Sequence, residues 1–216
     1  MKKIFALLLS AALLVTLLAA CGGGNTTDTD TDAQEPATDA STTQVEEQEP
    51  DTGDASKDDP LNQDEIGEKE LLVVSFGTSY NDSRRETIGA IEKAMQTAFP
   101  DYSVRRAFTS QIIIDHVKDR DGVTIDNVEQ ALERAVNNGV KTLVVQPTHL
   151  MNGLEYEELT DELAKYSDSF EKIAIGDPLL TSDADFEAVM TAITDATKDA
   201  ADVKTAICFM GHGTTA

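Results

Sequence analysis

The chain has 216 residues, with 40 acidic against 17 basic side chains, a net charge of −23 and only two cysteines. Such acidity argues against a nucleic-acid partner, because that affinity rests on Lys and Arg neutralising phosphates. Two cysteines, Cys21 and Cys208, give no disulfide framework.

The chain opens on MKKIFALLLSAALLVTLLAAC, two lysines followed by an apolar run and small residues before Cys21. This pattern predicts a lipoprotein signal peptide over residues 1–21, with Cys21 as the lipidated first residue of the exported protein. An uncleaved anchor is the competing reading, since the apolar run is near the lower limit for spanning a bilayer. The expected location is the cell envelope, on the outer face of the cytoplasmic membrane or in the periplasm, with the membrane contacted through the lipid. Cys208 lies in an apolar run and reads as a small buried hydrophobe.

Residues 22–68 hold 15 acidic residues, one lysine and almost no large apolar side chains. A segment that buries so little cannot offset its ordering entropy, so a disordered, self-repelling tether is expected over 22–68. Carboxylates spaced along a floppy chain bind cations weakly, which disfavours a metal-sponge role.

From residue 69 short apolar runs alternate with amphipathic ones. Strands are expected at 71–76, 102–108, 142–147, 172–176 and 205–210. Helices are expected at 82–98, 110–120, 126–137, 154–166 and 182–198. Ser83 with Glu86 reads as a capping box, and Gly139 as a helix stop. This alternation predicts an α/β fold, a parallel sheet flanked by helices on both faces.

Ligands of such sheets collect at the carboxyl ends of the strands. Those ends read SFGTSY, FTS, QPTHLMNG, GDP and MGHGTT. Two histidines, His149 and His212, fall there, while His116 sits inside a helix and reads as an exposed helical residue. Gly211 and Gly213 flank His212 and would let a large flat ligand approach the imidazole. A neutral imidazole can accept a proton near neutral pH or hold a borderline metal ion. No CxxC, HExxH or His-rich tract is present.

Gly77, Thr78 and Ser79 form either an anion cradle leading into a helix or a plain strand-to-helix turn. The absence of GxGxxG and GxxxxGK predicts no nucleotide cofactor. Glu155 follows Asn152-Gly153 at a helix start near the rim, whereas Glu157, Glu158, Asp161 and Glu162 read as a solvated face. Ser75 to Ser79 align with Gly211 to Thr215 at a constant offset of 136. Residues 69–203 would then be one α/β domain, and 204–216 the first strand and His loop of a truncated second one. A single five-stranded flavodoxin-like domain is the other reading.

The stretches LLVVSFGTSYNDSR, RRAFTSQIII, RDGVTIDNVEQAL, HLMNGLEYE, GDPLLTS and FMGHGTT, in this order, resemble the anaerobic cobalt chelatases of the CbiK type, the sirohydrochlorin cobaltochelatases. The resemblance implies two similar, ferrochelatase-related α/β halves gripping a tetrapyrrole and inserting a divalent metal. Co2+ would be the substrate metal, and imidazole and carboxylate ligands accept Fe2+ or Ni2+ as well. His212 would be the metal ligand and acceptor of pyrrole protons. Ser75, Gly77 and Thr78 would line the cleft, with His149, Glu155, Gly211 and Gly213 nearby. The family's further ligands, a glutamate and a histidine, have no counterpart here, so an incomplete and nearly inactive chain is expected. A surface lipoprotein that binds and transfers haem, another tetrapyrrole or a metal without catalysis is the alternative, and an α/β interaction module a third. A homo-oligomer is compatible with the sequence.

Overall fold

The computed structural model describes residues 51–64, 66–200 and 204–208. Four strands, β1 (Lys69–Ser75), β2 (Ser103–Phe108), β3 (Thr142–Pro147) and β4 (Lys172–Ile175), form one parallel sheet in the order β2-β1-β3-β4. The helices are α1 (Asn81–Glu86), α2 (Ile88–Ala98), α3 (Gln111–Asp121), α4 (Val128–Asn137), α5 (Leu154–Lys165) and α6 (Asp183–Thr197). The first crossover goes from β1 to one neighbour and the second returns past β1 to the other. The strand order therefore reverses between β1 and β3, the switch point where open α/β sheets bind ligands.

β1 is buried on both faces, which is why its sequence is a continuous apolar run instead of an alternating one. Leu72 and Val74 pack with Leu143 and Val145 against Leu132 of α4 and Leu159 of α5. Leu71 and Val73 turn to the other face and meet Ile91 and Met95 of α2. Complete burial of each such Leu or Val contributes roughly 1.5–3 kcal/mol. α4 starts with a capping box between Asn127 and Gln130, and α6 with one between Ser182 and Asp185.

Several expectations are corrected. The helix expected at 82–98 is two helices, meeting at Thr87: its hydroxyl donates back to the Ser83 carbonyl at 2.7 Å, and its backbone, at φ −110° and ψ −73°, is distorted from ideal helical angles while staying in the right-handed region. Ser83 with Glu86 is not a capping box. α1 begins at Asn81, and the Asp82 amide donates to the Thr52 carbonyl at 2.9 Å. Residues 205–208 are not a strand and pair with none of the four. Cys208 is exposed instead of buried, since residues 205–208 are not packed into the sheet.

The largest departure lies in the acidic stretch, where residues 51–64 are packed and not a free tether. Leu61 is buried in the α2-side core. Its carbonyl accepts from the Arg106 amide at 3.1 Å and from Arg105 Nε at 3.0 Å, and Arg105 Nη1 donates to the Gln63 carbonyl. β2 is an edge strand, and this segment covers its open side. The stretch orders because its carboxylates and carbonyls meet arginines in the fold. Residues 22–50, with the signal peptide and Cys21, lie outside the described residues.

Candidate functional site

The rim at the carboxyl ends of the strands is knitted by hydrogen bonds between successive loops. The Thr148 amide donates to Val74 O at 2.8 Å, and the Thr109 amide to Ser75 O at 2.9 Å. The Leu179 and Leu180 amides donate to the carbonyls of His149 and Leu150 at 3.0 and 2.7 Å. Loops after β1, β2, β3 and β4 therefore form one connected surface, with the switch point in its middle.

Ser75 ends β1 beneath this surface. It is buried, and its Oγ accepts from Thr148 Oγ1 at 2.9 Å. Its hydroxyl ties β1 to β3 instead of facing outward. Gly77 follows at φ 103°, and a Cβ there would lie 2.6 Å from Phe108 Cδ2. Only glycine fits this turn.

Thr78 and Ser79 present carbonyls to arginines: Arg84 Nη1 donates to Thr78 O at 3.1 Å and Arg120 Nη2 to Ser79 O at 2.6 Å. The loop is thus held from behind. The α1 that follows has only six residues, which weakens the anion-cradle reading and leaves the strand-to-helix turn.

His149 is the rim's distinctive side chain. It is half-buried, and neither ring nitrogen has a hydrogen-bond partner among the described residues. Buried polar atoms without partners are rare enough that each asks for a ligand or a role. Burial pushes its imidazole below the ordinary histidine range, opposed by the charge of Glu155. The ring is accordingly neutral near pH 7, able to accept a proton or a metal ion. Glu155 itself is exposed in the first turn of α5.

Apolar side chains are exposed in the loops and helix starts that follow the strands. Phe76 and Leu154 are 52% and 69% exposed, and Tyr80, Ile112 and Leu150 join them. His116 is exposed on α3 with its Nε2 3.5 Å from Arg120 Nη1. His212, Gly211 and Gly213 lie outside the described residues. No cluster of three or more His, Cys, Asp or Glu suited to a metal ion occurs among the described residues.

A set of buried charges escaped the sequence reading. Arg84 and Arg106 converge on Asp58, and Arg106 also meets Glu92. Glu70 and Arg105 lie on the opposite face with Asp126. The available signal was the Arg105-Arg106 pair in the middle of an otherwise strand-like run, which is costly unless each guanidinium has a partner.

The family model for cobalt chelatase (CbiK) matches residues 69–216. The sirohydrochlorin cobaltochelatase of Salmonella typhimurium strain LT2 is 38% identical over 145 residues, which are 67% of this chain and 54% of that protein. The chain therefore spans about half the length of this curated relative. The cobalamin (vitamin B12) biosynthesis CbiX protein of Marinobacter aquaeolei VT8 superposes with a TM-score of 0.41 at 12% identity, covering 61% of this chain and 97% of that one. Over the whole segment from β1 onward, the chain belongs to the CbiK cobalt chelatase family.

Proposed function

We propose that the chain acts in the insertion of Co2+ into sirohydrochlorin, the activity named for its Salmonella relative. The observation that carries this reading is the half-buried imidazole of His149 at the switch-point rim, without a hydrogen-bond partner among the described residues, on a rim whose loops and helix starts also expose Phe76, Tyr80, Leu150 and Leu154. An apolar surface suits the face of a flat macrocycle, and a neutral imidazole suits either a pyrrole N–H or the incoming ion.

Insertion replaces two pyrrole N–H protons with one divalent ion, so a base must stand beside the metal as it enters. We assign that role, with metal ligation, to His212 in its Gly211–Gly213 setting. His149 and Glu155 contact the macrocycle edge from β3 and α5. Gly77 and Thr78 form the close floor beneath it, and Ser75 holds that floor to Thr148. Fe2+ and Ni2+ are competing substrate metals that imidazole would also accept. Lipidation at Cys21 would place the reaction at the cell envelope.

Titrating the chain with sirohydrochlorin and then adding Co2+ tests the reading through the absorbance change on metal insertion. The expected result is binding followed by a weak Co2+-dependent spectral shift that His212→Ala abolishes while binding persists. Binding without any shift would replace the chelatase with a carrier, and absence of binding would remove both.

A further inference from the structure

Residues 51–64 precede the segment shared with the family, yet they reach the rim. Asp58 Oδ2 accepts from Arg84 Nε at 2.5 Å and from Arg106 Nη1 at 2.7 Å, while its Oδ1 accepts from Arg106 Nη2 at 3.0 Å. The side chains of Asp58, Arg84 and Arg106 are only 5%, 0% and 1% exposed. Glu92 is the other carboxylate facing Arg106, with contacts of 2.7 Å to Nε and to Nη2. Two buried guanidinium groups are thus balanced by two carboxylates, and one of these comes from outside the family segment. Removing one partner of such a set leaves an uncompensated buried charge.

Arg84 passes this constraint to the rim. Its Nη1 donates to the Thr78 carbonyl at 3.1 Å and its Nη2 to Asn81 Oδ1 at 2.5 Å. Asn81 Nδ2 in turn donates to the Gly53 carbonyl at 3.1 Å, and the Asp82 amide to the Thr52 carbonyl at 2.9 Å. The segment therefore grips the turn from β1 into α1 at both ends, through backbone at Thr52 and Gly53 and through charge at Asp58. A planar guanidinium locked by a carboxylate is pre-organised to hold a carbonyl in one place.

We propose that residues 52–58 are a built-in strap for the β1–α1 turn, with Asp58 as a positioning residue that fixes Arg84 and, through it, the Thr78 backbone beneath the ligand. The inference rests on the tetrapyrrole reading only for which ligand the turn serves. The strap makes a sequence outside the family segment part of the site's support, so its loss loosens the turn before it loosens the sheet.

Hydrogen–deuterium exchange on the full chain, beside sirohydrochlorin titration, tests it with Asp58→Asn and Gly53→Ala. The second variant leaves the buried charges intact. At φ 88° an alanine strains this backbone, and its Cβ, 2.2 Å from the Asp82 carboxyl carbon, also displaces that side chain, loosening the strap's hold on α1. In both variants, amides over residues 77–82 are expected to exchange about tenfold faster while those of α4 and β3 keep their rates. Sirohydrochlorin affinity falls about tenfold in parallel, and Asp58→Glu recovers part of it.

Gly53→Ala keeps the test decisive if Asp58→Asn does not fold. Unchanged exchange over 77–82, or acceleration spread equally over α4 and β3, overturns the proposal. A wild-type chain that binds no sirohydrochlorin sinks the tetrapyrrole reading instead, while the exchange comparison still decides the strap.

Discussion

Thr148 donates its hydroxyl to Ser75 Oγ at 2.9 Å, joining the carboxyl ends of β3 and β1 across the point where the strand order reverses. Because Ser75 is buried, this bond replaces water for its hydroxyl. A double-mutant cycle with Ser75→Ala and Thr148→Val should give a coupling of about 1 kcal/mol in urea denaturation. Strictly additive losses would mean that the two loops are held by backbone alone.

Gly77→Ala should be among the more damaging single changes at the rim. The substitution puts a Cβ at φ 103° and 2.6 Å from the Phe108 ring, which is itself fully buried. Backbone strain and overpacking together cost about 2–4 kcal/mol. A thermal melt superimposable on the wild type would show that the turn relaxes freely.

Glu70 gives a pH dependence of known sign. It is buried, neither carboxyl oxygen has a hydrogen-bond partner among the described residues, and burial pushes its carboxyl up to about 7 despite the attraction of Arg105. The folded state therefore holds this proton after the unfolded chain has released it. Stability from Glu70 is full below the ordinary value of 4.5 and is lost as pH rises towards 7. Glu70→Gln stays neutral throughout, so its stability relative to wild type should rise by a few kcal/mol between about pH 5 and about pH 8. Urea midpoints at the two ends measure this, and a pH-independent difference would contradict it.

His149 should titrate below 6.5 in a histidine NMR titration, since burial disfavours its charged form. The Glu155 carboxylate works the other way, so Glu155→Gln should lower the midpoint further. For this group the unfolded chain takes up the proton first, and the associated stability is lost as pH falls below 6.5. A midpoint that rises in Glu155→Gln would show that the two side chains do not interact as the structure places them.

Legibility in the sequence followed the size of the local signal. Apolar runs such as LLVVS and TLVVQP announced β1 and β3 to within two residues, because strands buried on both faces cannot be polar. Thr87 concealed the break between α1 and α2, since a β-branched residue inside a helical pattern is usually tolerated. Acidic residues 51–64 looked like solvated tether, because composition measures what a segment can bury by itself. It does not register that Asp58 finds two arginines 26 and 48 residues away.

The amino-acid sequence determined the four strands, their carboxyl-end loops and the family, each of which depends on periodicity or on motifs read within one segment. Only the tertiary structure decided that β3 lies beside β1, that His149 stands half-buried without a hydrogen-bond partner among the described residues, and that Asp58 reaches the turn holding Thr78. These relations join residues distant in the chain. They depend on which strands pair and which charges are desolvated together, and no local pattern encodes either.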